Sequence, residues 1–161
     1  MMNSEMFFDF PVECEYNKAR KLFREGMMNK EQKAAEYLKE CGVFYMATVE
    51  GKRPRVRPMN GVMLWHGHLS FAIDRSSQLY LEVGLNPYVE ISAVHPDRSY
   101  ISLRGTLREE KEGLEDLKKI WEEDMKNSRL FSRENMMAFA LEDGHVMITD
   151  FDGKRMDSFD L

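Results

Sequence analysis

The stretch VFYMATVEGKRPRVRPMNGVML, residues 43–64, decides the fold. β-Branched and aromatic residues fill its first half, Glu50–Gly51 supplies a turn, and RPRVRPMNGVML runs back, so it reads as a β-hairpin. Arg53, Arg55 and Arg57 fall on alternate positions. A regular strand points all three guanidinium groups to one face, each about 7 Å from the next. Like charges aligned in this way repel one another, and an anion bound across them relieves the repulsion. Arginine suits that role, because its planar fork matches phosphate oxygens in pairs. The same residues also suit an edge strand guarded by charge and by Pro54 and Pro58, and taken alone they favour that plainer reading.

Working outward, the turn WHGH (65–68) leads into the strand HLSFAID (68–74). SSQLYLEVG restores a helical pattern, with Ser76 as the expected N-cap and Gly84 near the end, before Asn86–Pro87 breaks it. YVEISAV and SYISLRGTL are two further strands joined through His95–Pro96–Asp97. EGLEDLKKIWEEDMK places Leu114, Leu117, Ile120, Trp121 and Met125 on one side of an amphipathic helix. MMAFALE, HVMITDF and KRMDSFDL read as three strands separated by hairpin turns at Asp143–Gly144 and Asp152–Gly153. On the N-terminal side, Asn29 and Gln32 form a capping-box pattern ahead of Ala34, Ala35, Leu38 and Cys41, and Gly42 stops that helix. Residues 1–28 form an extension with Phe7, Phe8 and Phe10, then a stripe of Tyr16, Ala19, Leu22, Phe23 and Met27; residues 29–161 form the main domain.

The predicted order is helix, three strands, short helix, two strands, helix, three strands. Most links between strands are too short for parallel crossovers. The fold class is therefore mainly β with peripheral helices: a barrel of six or more antiparallel strands, closed so that few sheet edges are exposed.

A chain of 161 residues with 43% hydrophobic and 32% charged residues suits one soluble globular domain. Its formal charge of −5 argues against a surface dedicated to nucleic acid. Cys14 and Cys41 are the only thiols, without CxxC or histidines at ligand spacing, so neither zinc nor a disulfide framework is expected. No apolar run approaches the roughly 20 residues of a membrane span. The first residues lack a basic region followed by a long apolar stretch. A cytoplasmic setting is expected.

Two further features bear on chemistry. DRSS, residues 74–77, sits where a strand hands over to a helix, so the Ser76 and Ser77 hydroxyls and free amides gather at one helix start, with Arg75 beside them. An ordinary N-cap is the plainer account. In PMNG, Pro58 and Gly61 flank Met59 and Asn60 and let backbone approach a flat ligand closely, or mark a bulge. His66, His68 and His95 read as solvated loop histidines. Glu109, Glu110, Glu112, Glu115 and Asp116 read as the solvated face and acidic start of a helix. Trp65 and Trp121 suit packing, and the 13 methionines fill apolar positions. No catalytic side chain and no metal ligand stands out.

Taken in order, YLKECGVFYMATVEGKRPRVRPMNGVM, HLSFAID with SSQLYLEVGLNPYVEIS, YISLRGTL and ITDFDGK resemble the pyridoxamine 5′-phosphate oxidase-like split-barrel flavoproteins, particularly the nitroimidazole-resistance reductase branch. The resemblance runs from about Ala34 to the C-terminus. It implies a homodimer with FMN in the groove between subunits, phosphate contacts from Arg55 or Arg57 and from Arg75, Ser76, Ser77 and Gln78, and a ring bordered by Pro58, Met59 and Asn60. Val56 lies inside the same contact strand. It further implies an oxidoreductase that takes hydride from a nicotinamide nucleotide and passes electrons to a small organic acceptor, such as a nitro compound. Relatives commonly carry a lysine where this chain has Ser76 to Leu79, so the phosphate pocket is less positive here. Two alternatives stand beside this: a flavin- or haem-binding protein without turnover on the same barrel, and a cofactor-free dimeric module.

Overall fold

The fold is described from a computed structural model, which describes Gly26, residues 28–124 and residues 132–161. The expected N-terminal stripe and Met125 lie outside these residues. Helix α1 (Lys30–Cys41) starts as its local sequence dictates. Asn29 Oδ1 accepts from the Gln32 amide at 2.8 Å while Gln32 Oε1 accepts from the Asn29 amide at 2.9 Å. The capping box thus satisfies two amides that have no partner inside the helix. Gly42, at φ 74°, ends the helix in the left-handed region.

Among the described residues eight antiparallel strands follow: β1 (Phe44–Glu50), β2 (Arg53–Met59), β3 (Val62–Trp65), β4 (His68–Asp74), β5 (Tyr88–Val94), β6 (Ser99–Glu110), β7 (Met136–Asp150) and β8 (Arg155–Asp160). Helix α2 (Gln78–Leu85) links β4 to β5, and α3 (Leu114–Asp124) lies between β6 and β7. The hydrogen-bonded order is β2-β1-β5-β6-β7-β4-β3, with β8 pairing β7. The mainly antiparallel architecture follows the sequence reading, and so does the count of eight, but the strands are divided differently.

RPRVRPMNGVML is two strands. The chain breaks at Asn60–Gly61, after which β3 pairs with β4 and leaves β2 with β1. β2 and β3 thereby form the two ends of the path. Asp143–Gly144 is not a hairpin turn either. β7 runs through it, and three steps on β7 (Glu142 to His145) face two on β6 (Thr106 to Arg104), which is a β-bulge. Asp143 takes φ 51°. Before the bulge, β7 pairs through Met136–Ala140 with β4; after it, through His145–Thr149 with β8. One strand thus serves two partners on its second edge, which is how the sheet splits. Gly105 sits opposite, where a Cβ would lie 2.8 Å from the Glu142 carbonyl oxygen. Asp152–Gly153 does make the last hairpin, with Gly153 at φ 81° and its amide donating to the Asp150 carbonyl.

Side chains facing inward form the main core: Phe44 and Met46 of β1, Leu69, Phe71 and Ile73 of β4, Ile91, Ile101, Leu103, Val146 and Ile148, closed by Leu38 of α1 and by Leu79 and Val83 of α2. A smaller cluster of Met63, Leu117, Trp121, Met136 and Ala138 seats α3 on the opposite face of β3, β4 and β7. Trp121 is a packing residue, as expected, whereas Ile120 turns outward. Glu109 and Glu110 close β6 and do not belong to the helix. His95 is buried, contrary to expectation. The β5–β6 turn folds against the end of α1, where His95 Nε2 lies 2.8 Å from Glu40 and its ring packs on Tyr37.

Candidate functional site

The pleat of β2 sorts its residues onto two faces. Pro54, Val56 and Pro58 stand against Val49, Ala47 and Tyr45 of β1 on the outer face. Arg53, Arg55 and Arg57 stand against Glu50, Thr48 and Met46 on the other. That second face carries the buried side chains of β1, so the arginines border the core on the side covered by α2.

Arg57 is docked on α2. Its Nη1 donates to Glu82 Oε2 and its Nη2 to Glu82 Oε1, both at 2.7 Å, and Nη1 also reaches Thr48 Oγ1 at 3.1 Å. The Thr48 hydroxyl donates to Glu82 Oε2 at 2.6 Å. Glu82 is 1% exposed and Arg57 27%. The Arg57 hydrogen bonds hold the Glu82 carboxyl below the usual carboxylate range, although burial alone pushes it the other way. Arg55 pairs with Glu50, its Nε donating to Glu50 Oε2 at 2.9 Å, and both side chains are largely exposed. Exposed pairs of this kind are screened by water and exchange readily. Arg53 and Arg75 are exposed.

The start of α2 is built by Asp74, Ser76 and Ser77. Ser77, rather than Ser76, is the N-cap: its Oγ accepts from the Tyr80 amide at 3.2 Å and donates to the Asp74 carbonyl at 2.6 Å. The Ser76 amide and hydroxyl both donate to Asp74 Oδ1, at 2.7 and 2.6 Å. A carboxylate therefore already stands at this positive helix end, where the dipole stabilises it. The amides of Gln78 and Leu79 belong to the first turn, where the helix itself offers no acceptor.

Arg57 and α2 thus come together, while among the described residues no hydrogen bond or ion pair joins Arg55 or Arg57 to Ser76, Ser77 or Gln78. Glu82 is the fifth residue of α2, about 6 Å along the axis from Gln78. Pro58 and Asn60 are exposed and Met59 is half-buried against the core, on the segment that leads from β2 into β3. Arginine, hydroxyl and first-turn amides match a phosphate monoester in kind. They are also matched from within, because Glu50, Asp74 and Glu82 each bind one of the expected donors. Sequence reasoning missed these carboxylates. Glu82 left a signal: it is the only charged residue in QLYLEVGL, and a lone acid in an apolar helix needs a buried partner.

The outer face carries exposed apolar side chains, with Tyr45 53%, Val56 63% and Tyr88 70% accessible. An open groove of about 530 Å³ crosses it, lined by Ala47, Val49, Pro54, Tyr88, Glu90, Arg104 and Thr106 among others. Among the described residues no group of three or more His, Cys, Asp and Glu is placed to hold a metal, and no helix is long and apolar enough to cross a membrane.

No family model matches the sequence, and no curated protein is significantly similar to it. Solved structures do share its fold. A NimC/NimA family protein from Clostridium acetobutylicum is 29% identical, with a TM-score of 0.73 over 86% of this chain and 99% of the other. A Listeria innocua structure named for pyridoxamine 5′-phosphate oxidase is 18% identical, with a TM-score of 0.54 over 83% and 98%. HutZ, the haem storage protein from Vibrio cholerae, is 17% identical, with a TM-score of 0.53 over 71% and 90%. These structural likenesses show that the chain has the pyridoxamine 5′-phosphate oxidase-like split-barrel fold.

Proposed function

We propose that the protein binds FMN and acts as an oxidoreductase, moving electrons from a nicotinamide nucleotide to a small organic acceptor, and that it works as a homodimer. The observation that carries this reading is the docking of β2 on α2 through Arg57 and Glu82, which sets a cationic strand beside a helix that opens on two serines. FMN, when bound, supplies the hydride-accepting ring, so no catalytic acid or base is required of the protein.

This chain's residues then bind and orient. Arg57 and Arg55, the latter released from its exposed pair with Glu50, meet the phosphate with Arg75 and the first-turn amides of Gln78 and Leu79. Ser76 and Ser77 keep the helix start in shape through Asp74. Pro58, Met59 and Asn60 offer backbone to the ring edge, and Val56 faces away from it, into the outer surface. Because β2 is an edge strand, a second copy covering Tyr45, Val56 and Tyr88 reaches the rim at which the arginine face begins. Such a partner closes the cleft over the ring and removes a large exposed apolar patch from water.

The test is purification without added cofactor, an absorption spectrum, a titration with FMN, and oxidation of NADH or NADPH with a nitro compound as acceptor. Flavin binding at micromolar concentration with turnover is the expected result. Binding of haem and not flavin points instead to a storage role like the one HutZ is named for. Binding of neither ends the proposal.

A further inference from the structure

We propose that Glu82 is a built-in counter-anion, which competes with a ligand's phosphate for Arg57 and sets how tightly the site holds a phosphorylated cofactor. This inference rests on the reading of the site as a flavin site. Every hydrogen bond that fixes the competition is intramolecular. Both Glu82 oxygens face Arg57 at 2.7 Å, and the Thr48 hydroxyl pins one of them at 2.6 Å. Glu82 has no freedom to withdraw, because it is 1% exposed and lies between Leu79 and Val83 on the core side of α2.

Arg57 is more open, at 27%, so a ligand approaches the pair from the guanidinium side. A guanidinium has five N–H groups in a fixed fork. Glu82 and Thr48 use up to three of them, which leaves donors for an incoming oxygen but no net positive charge. A phosphate arriving there meets a cation already neutralised by the Glu82 carboxylate behind it. Charge-assisted bonds are roughly twice as strong as neutral ones, so the phosphate contributes little to binding while Glu82 is ionised. The site therefore tolerates a phosphate without depending on it, and the flat ring provides most of the affinity.

The experiment compares FMN, riboflavin and inorganic pyrophosphate as probes on the full chain, by flavin fluorescence quenching and by calorimetry. The wild type is expected to bind FMN and riboflavin within about threefold of each other, and pyrophosphate only at millimolar concentration. Glu82→Gln keeps the size and one accepting oxygen but removes the charge. It is expected to tighten FMN about tenfold or more with riboflavin unchanged, and to gain pyrophosphate binding. In R57Q/E82Q that gain disappears. If neither protein binds flavin but E82Q gains pyrophosphate, the proposed function fails and the role of Glu82 stands. The role of Glu82 is overturned if E82Q leaves all three affinities unchanged. Should E82Q not fold, the wild type alone decides: a preference for FMN over riboflavin of about a hundredfold, or micromolar pyrophosphate binding, refutes it.

Discussion

Replacing Arg57 by Ala tests the energetics of the site most directly. The change deletes the two 2.7 Å hydrogen bonds to Glu82 and leaves a carboxylate that is 1% exposed with, among the described residues, the Thr48 hydroxyl as its hydrogen-bond donor. Breaking a buried pair from one side costs about 3–5 kcal/mol. Because Arg57 itself is partly exposed, water enters the space it vacates, and the lower end, about 3 kcal/mol, is expected. For a chain of this size that lowers Tm by roughly 6–12 °C. The assay is urea and thermal unfolding at neutral pH, repeated in acid. In the wild type Glu82 has a depressed folded pKa, so its contribution is complete above its unfolded value of about 4.3 and is lost as pH falls through the lower folded value. In R57A the buried carboxylate is raised instead, so its penalty shrinks as acid protonates it. The gap between the two proteins should therefore narrow as pH falls, above about 4.3 because R57A regains stability and below it because the wild type loses its own. R57M/E82L, which replaces both charges with apolar groups, should return to within about 1 kcal/mol of the wild type. An R57A protein as stable as the wild type at neutral pH, or a gap that widens in acid, refutes the reasoning.

Four other outcomes follow from the same structure. Gly105→Ala should destabilise by about 1–3 kcal/mol, because the new Cβ meets the Glu142 carbonyl oxygen at 2.8 Å and Leu141 at 2.9 Å. Gly84→Ala, inside α2 with open space around it, should stabilise by about 0.5–1 kcal/mol, and thermal melts of the two variants check both signs. The Cys41 thiol, pushed up to about 12 by burial and by the nearby Glu40 and Asp97 carboxylates, should react with a thiol reagent far more slowly at pH 8 in the native protein than in urea. V56E places a charge at the centre of the exposed apolar face; light scattering should show the proposed dimer dissociating to a monomer that melts within a few degrees of the wild type's unfolding temperature.

Local signals were legible wherever the chain decides its own geometry. Asn29 and Gln32 lie three residues apart, and a capping box needs nothing else. His66–Gly67 and Asp152–Gly153 turn the chain through positive φ at adjacent or single residues, as turn chemistry requires. The alternation of arginine and apolar residues in β2 was equally readable, and so were the two faces it creates. Asp143–Gly144 was not, since the same pair accommodates a hairpin or a bulge. The choice was made by β6, which pairs with residues on both sides of it.

The sequence by itself determined which segments become strands and helices, where α1 starts and stops, and that cationic and apolar residues would occupy opposite faces of one edge strand, because those outcomes depend on neighbours a few positions apart. Only the tertiary structure decided what the cations face. Arg57 and Glu82 lie 25 residues apart, and their pairing exists because β4 hands over to α2 above the core and α2 lies against β1 and β2. Electrostatic partners across such a distance are set by packing, and packing is settled by the whole chain at once.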